Sequence, residues 1–263
     1  MRFGLLPMEG GYTPPGTQDF EWGSLWPGVL PEWFNKPLAQ ALIAAALVIL
    51  LWWWASRNLK VRPGKGQMVA EYLYEFVRNG IARDTLHAEY RKYLPWLLGL
   101  FFFVLVNNLF GQFFYFMYPT FGNVGYAYGI AIVAWFIYVV AGFSKFGIGF
   151  LRRALIPEGV PWYLYPLIIP LEILATFITR PITLALRLFT NMFAGHLVAM
   201  VFVVGGAFLL TYENNILFNI SGAISFAFSL VFMALKLFLG ALQAYIFTVL
   251  TAQYVSTSIS EAH

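Results

Sequence analysis

The chain contains no cysteine, which excludes a disulfide framework, a thiolate nucleophile and any Cys-ligated metal or iron–sulfur centre. Its three histidines, His87, His196 and His263, stand far apart without ligand-like spacing, so no metal site is expected. Nor is there a phosphate loop or glycine-rich cradle, and neither nucleotide chemistry nor a cofactor is expected of this chain. Charge is scarce, at 11% of 263 residues. Internal repeats and matched pairs of interrupted spans are missing, which argues against a self-contained channel or secondary transporter. An intramembrane enzyme would need a buried Ser or Asp dyad, and the one intramembrane acid is Glu172. What remains is apolar: 60% of residues are hydrophobic and the mean hydropathy is +0.71, more than one soluble core could hide. The composition implies an all-α polytopic membrane protein whose surroundings are the lipid bilayer, with no nucleic-acid partner.

Hydrophobic runs give a first crossing at residues 38–55, closed by Trp52, Trp53 and Trp54 at an interface. Two more follow at 94–118 and 124–150. Between the first and second, residues 64–86 place Val69, Leu73, Phe76, Val77 and Ile81 on one helical face and Glu71, Glu75, Arg78, Asn79 and Arg83 on the other. This predicts an amphipathic helix along the membrane surface, or a soluble helix packed on a partner. Residues 163–210 and 216–257 are too long for ordinary spans, running roughly 70 and 60 Å at about 1.5 Å per residue against a core of about 30 Å. Long, strongly tilted helices are expected, with a local bend at Gly205-Gly206. Five crossings and one interfacial helix result, forming a membrane domain over 38–263.

Basic residues fix the orientation. Arg57, Lys60, Arg62, Lys65, Arg78, Arg83, Arg91 and Lys92 follow the first span, and Lys145, Arg152 and Arg153 follow the third. The mixed, Pro-rich tail over 1–37 has Arg2 and Lys36 against Glu9, Asp19, Glu21 and Glu32, and it lacks the pattern of a signal peptide. By the positive-inside rule the N-terminal tail is extracytoplasmic and the C-terminus cytoplasmic.

Polar groups inside the long segments are the functional candidates, since an Arg near a span centre costs roughly 2.5 to 3.5 kcal/mol on the lenient insertion scale. At about 100° per residue, Thr176, Arg180, Thr183, Arg187, Thr190 and Asn191 form one stripe, with Glu172 within about 60° of it. His196 lies roughly 13 Å beyond Arg187 toward the outside and faces the other way, while Glu172 lies roughly 22 Å toward the cytoplasm. A guanidinium stays protonated in a poor dielectric, so Arg187 can hold a passing carboxylate but cannot relay a proton. It would separate two half-paths. On the last helix Lys236 and Gln243 share a face that continues through Thr251 and Tyr254.

The stretch from Arg180-Pro181 through Arg187-Leu-Phe-Thr-Asn191-Met-Phe-Ala-Gly-His196, with Leu242-Gln243-Ala-Tyr-Ile-Phe-Thr-Val-Leu-Thr251, resembles the two signature helices of the a subunit of F-type ATP synthases. Asn107-Asn108-Leu-Phe-Gly111 is a looser match. The resemblance implies a non-catalytic stator subunit of Fo in the cell inner (plasma) membrane, offering two proton half-channels to a rotating c-ring beside peripheral-stalk b subunits. It assigns Arg187 to the ring carboxylate, Gln243 and Asn191 to its flanks, His196 to the outer half-channel and Glu172 to the cytoplasmic one. Lys236 stands where the family commonly has an acid or histidine. Either it takes part, or it snorkels outward and water with His196 carries the path.

Overall fold

A computed structural model describes residues 33–57, 59–112, 119–155, 161–212 and 216–260, with 14–16 and the single positions 20, 25, 28 and 31. The tail charges Arg2, Glu9, Asp19, Glu21 and Glu32, together with His263 and the end of the second expected crossing at 113–118, lie outside the described residues. Among those described there is no extended strand, and five helical stretches are long and apolar enough to cross a membrane.

Helix α1 runs Lys36–Arg57. Its exposed Leu42, Ile49, Leu50 and Trp53 suit a lipid-facing surface, and buried Ala44 and Val48 turn inward. The amphipathic segment begins as α2, Lys65–Val77, passes through a π-helical stretch Arg78–Arg83 and ends as the short α3, Asp84–Leu86. Its apolar side buries Val77, Ile81 and Ala82 completely. The chain then turns at His87, whose φ of 48° lies where side chains are disfavoured. Helix α4 spans Tyr90–Phe110, starting four residues before the expected 94 and closing at Phe110 with a turn at Gly111–Gln112.

Helix α5, Val124–Phe146, is N-capped by Asn123, whose side chain accepts from the Gly125 amide. The expected span to 150 is cut short because Gly147 takes φ +57°. The chain reverses there into α6, Gly149–Leu155, and the Phe150 ring fills the space a Cβ on Gly142 would need. Lys145 closes the same end of α5 by an ion pair of 2.6 Å with Glu89.

The segment expected as one long helix is continuous but not uniform. It comprises α7, Tyr165–Ile173, a π-helical stretch Leu174–Thr179, and α8, Arg180–Tyr212. Helix α9 follows at Ile216–Ile259 and pairs with α8 along its length. At the expected bend the helix continues through Gly205 and Gly206. A Cβ on Gly206 would lie 3.1 Å from Ser225 Cβ, and one on Gly222 would lie 3.0 Å from the Gly206 carbonyl oxygen. These glycines bring two backbones together. The core lies where α4, α5, α8 and α9 meet. Ala127, Ala131, Ala134, Tyr138 and Ala141 repeat at helical spacing on α5, all buried, and let it sit close to α8 and α9.

Candidate functional site

Two neighbouring turns of α8 and α9 form an open groove of about 480 Å³, lined by Leu186, Arg187, Thr190 and Asn191 from the first and Leu239, Leu242, Gln243 and Ile246 from the second. Arg187 is exposed on this face, amid exposed Leu186 and Leu242. Among the described residues no carboxylate pairs with it. Among the described residues, the ion pairs Arg78–Glu75 and Lys145–Glu89 lie elsewhere. Asn191 reaches across the groove, its Nδ2 donating to the Leu239 carbonyl at 3.3 Å. Gln243 is buried, and its Nε2 finds no acceptor among the described residues. An unmet buried donor costs about 1 to 3 kcal/mol, and this groove holds both a cation and a donor lacking partners among the described residues.

The register of α9 is set close by. Asn108 on α4 donates through Nδ2 to the Gly240 carbonyl at 2.8 Å, and Gly240 allows the approach, since a Cβ there would sit 3.3 Å from Asn108 Cβ. This fixes α9 three residues before Gln243.

On the side of Arg187 toward the α8–α9 loop, His196 is buried and its Nδ1 lies 3.3 Å from Lys236 Nζ. The lysine's stem lies across Gly195, whose missing Cβ would meet Lys236 Cγ at 3.3 Å. Lys236 therefore lies along α8 and reaches His196. Phe20 packs edge-on against the imidazole, ring centroids 5.7 Å apart, and lies 4.6 Å from Phe193.

On the other side, Glu172 is half-buried on α7 and makes no ion pair with Arg180. Arg180 instead sits over the Tyr254 ring, 5.2 Å from its centroid, and Tyr254 packs on Tyr138 at 5.8 Å. The buried Tyr138 hydroxyl donates to the Thr176 carbonyl at 2.5 Å, inside the π-helical stretch. Thr183 turns its hydroxyl back to the Thr179 carbonyl at 2.8 Å. The groove thus unites Arg187, Thr190, Asn191 and Gln243, His196 and Lys236 form a second pair, and Tyr254 joins Arg180. Glu172 stands apart. Sequence reasoning missed Tyr138 and the π-turn it supports. A lone tyrosine on an alanine stripe was the available signal for the first; the second leaves no pattern in the residues.

The family model described as ATP synthase A chain matches residues 38–256. The chain belongs to this family, the a subunits of F-type ATP synthases. It is similar to an ATP synthase subunit a from Nocardioides sp., 37% identical over 263 residues that cover 96% of this chain and 95% of that one. It is also similar to an ATP synthase subunit a from Paenarthrobacter aurescens, 40% identical over 257 residues, 97% and 96% of the two chains. A Mesorhizobium japonicum ATP synthase subunit a shows 38% identity over 202 residues, 76% of this chain and 77% of its own. In this a subunit the groove and the two flanking clusters all fall within the matched residues.

Proposed function

We propose that this chain is the stationary proton-conducting subunit of Fo, with no catalytic site of its own, which passes protons to and from carboxylates on a rotating c-ring. The observation that carries this reading is the exposed Arg187, set on an apolar face without an acid partner among the described residues. A guanidinium in lipid is costly, and it is stabilised once a partner brings a carboxylate to the groove. The Gln243 amide beside it supplies a donor for the same oxygens.

With the tail outside and the C-terminus in the cytoplasm, a proton enters past His196 and Lys236 and neutralises a ring carboxylate. After nearly a full turn that carboxyl reaches Arg187, ionises against the fixed positive charge, and its proton leaves past Glu172 toward the cytoplasm. Arg187 bars a direct passage because it does not give up its own proton. Asn191 and Gln243 border the groove in which the carboxylate would seat. Each charge moved contributes about 2.3 kcal/mol per 100 mV, so several crossings must combine to support one ATP. Peripheral-stalk b subunits would hold the chain against ring torque in the plasma membrane.

The test is ATP-driven acidification of inverted membrane vesicles carrying Arg187→Ala, with passive proton leak measured at an imposed potential. Pumping lost while the complex assembles is the expected result. Unchanged pumping returns Arg187 to a structural role and overturns the mechanism.

A further inference from the structure

Away from the proton path, the junction of α2 and α4 forms a second cavity of about 420 Å³, lined by Tyr74, Arg78, Tyr90, Arg91, Leu94, Pro95 and Leu98. Its two ends differ in chemistry. On α4, Arg91, Leu94, Pro95 and Leu98 follow one another at i, i+3, i+4 and i+7, so one helix face begins with a cation and continues as an apolar track. On α2 and its π-helical extension, Tyr74 and Arg78 are one turn apart and face the same space. Each guanidinium leans on an aromatic ring, Arg78 at 5.6 Å from the Tyr74 centroid and Arg91 at 5.9 Å from that of Tyr90.

These contacts leave donors to spare. Arg78 Nη2 lies 3.5 Å from an exposed Glu75 oxygen and its Nε donates to Asn79 Oδ1 at 3.1 Å, while Arg91 Nε donates to the Tyr90 hydroxyl at 3.3 Å. A guanidinium carries five N–H donors in a fork that suits phosphate oxygens. The site lies where an amphipathic helix meets the start of a span, which is the depth of lipid headgroups.

We infer that this cavity binds an anionic glycerophospholipid, its phosphate held between Arg78 and Arg91 and an acyl chain lying on exposed Pro95 and half-buried Leu98, over the buried Leu94. The charged rim and apolar track match the two parts of one amphiphile in the order that a bilayer presents them. Free phosphate would use the rim alone and leave the track unfilled. The lipid would fasten the amphipathic segment to α4, and its binding is independent of the proton-translocation reading, because none of these residues belongs to that path.

The test uses the whole ATP synthase complex in phosphatidylcholine vesicles doped with a phosphatidylglycerol carrying a photoreactive acyl chain, with adducts on α2 and α4 peptides read by mass spectrometry. A phosphatidylcholine probe with the same chain and an excess of inorganic phosphate serve as comparison arms. The expected result is preferential labelling by the anionic probe, resistant to inorganic phosphate, and reduced about twenty-fivefold in Arg78→Gln/Arg91→Gln, given roughly a fivefold contribution per arginine near an anionic headgroup. ATP-driven pumping by that double variant should continue. Equal labelling by both probes overturns the inference, as does displacement by inorganic phosphate. Adducts of the anionic probe on other subunits with none on these peptides would overturn it too. The comparison of the two probes on the wild-type complex needs no variant, so a variant that fails to assemble leaves a decisive result.

Discussion

Deleting Ile178 should leave proton pumping nearly intact, whereas deleting Thr183, five residues away, should abolish it. In an unbroken α-helix, loss of one residue rotates everything before it by about 100° and slides it about 1.5 Å, which swings a side chain about 6 Å from the axis through roughly 9 Å. Thr183 lies in regular α8, so its deletion would carry Glu172, Thr176 and Arg180 out of line with Arg187. Ile178 lies in the π-helical stretch Leu174–Thr179, where a turn closed by i→i+5 bonds holds one residue more than an α turn. Removing it lets that turn close as ordinary helix with both flanks unmoved. The loss is then the Tyr138 hydroxyl bond to the Thr176 carbonyl, about 0.6 kcal/mol for an interhelical bond in a membrane, or roughly threefold. Ile178 is 47% exposed, so little packing goes with it. ATP-driven acidification of inverted vesicles, normalised to membrane content of the chain, reads both deletions. Pumping within about threefold of wild type for the first, against a loss of about a hundredfold for the second, is expected. Equal loss in both, at normal membrane content, refutes the claim that the wide turn absorbs the extra residue.

His87→Gly should stabilise the chain by about 1 kcal/mol, because φ 48° and ψ −113° strain a side chain and Gly147 already occupies similar angles at 57° and −139°; thermal unfolding of the detergent-solubilised complex measures it. A drop in melting temperature would count against strain at that turn. Gly222→Leu should block α8–α9 packing, since even a Cβ meets the Gly206 carbonyl at 3.0 Å, and membrane content of the chain should fall. Asn108→Ala removes the bond to the Gly240 carbonyl and should lower stability by about 0.6 to 1.7 kcal/mol, with an unshifted melting curve as the contrary result. Lys236→Met deprives His196 Nδ1 of its neighbour and should slow pumping without raising passive leak; full-rate pumping would take Lys236 out of the path.

The fold was legible where it depends on hydrophobic length and helical period. Runs of apolar residues located α1, α4, α5, α8 and α9, and the split faces of α2 marked the amphipathic segment, because burial and lipid exposure select side chains directly. The Arg187–Asn191 stripe was legible for a related reason, since polar groups at helical spacing in an apolar chain stand out against their surroundings, while the pairing of Gln243 with it was implied by the resemblance alone. What stayed hidden depends on backbone geometry. Gly147 fell inside the expected span 124–150, yet its positive φ ends α5 and turns α6 back. Gly205-Gly206 suggested a local bend, and the closeness of Ser225 and Gly222 shows the other use of glycine, which only the partner helix reveals. The π-turn before Arg180 has no residue preference strong enough to betray it.

Lys236 shows how this limit reaches the site. Its position alone left two courses open, outward to the interface or inward to the bundle, since a flexible four-carbon stem permits either. Gly195 decides between them: without a Cβ on α8, the stem can lie against the helix and bring Nζ to 3.3 Å from His196 Nδ1. A side chain at Gly195 would occupy that track and push the amine away from the imidazole. The polar contact between α8 and α9 is thus completed inside the chain at His196, whereas one helical stretch away Arg187 and the Gln243 amide remain without partners among the described residues. On the reading proposed above, half-buried Lys236 is met by the chain's own histidine, whereas the outward-facing Arg187 beside an unmet donor is where a ring carboxylate would bring the acceptor.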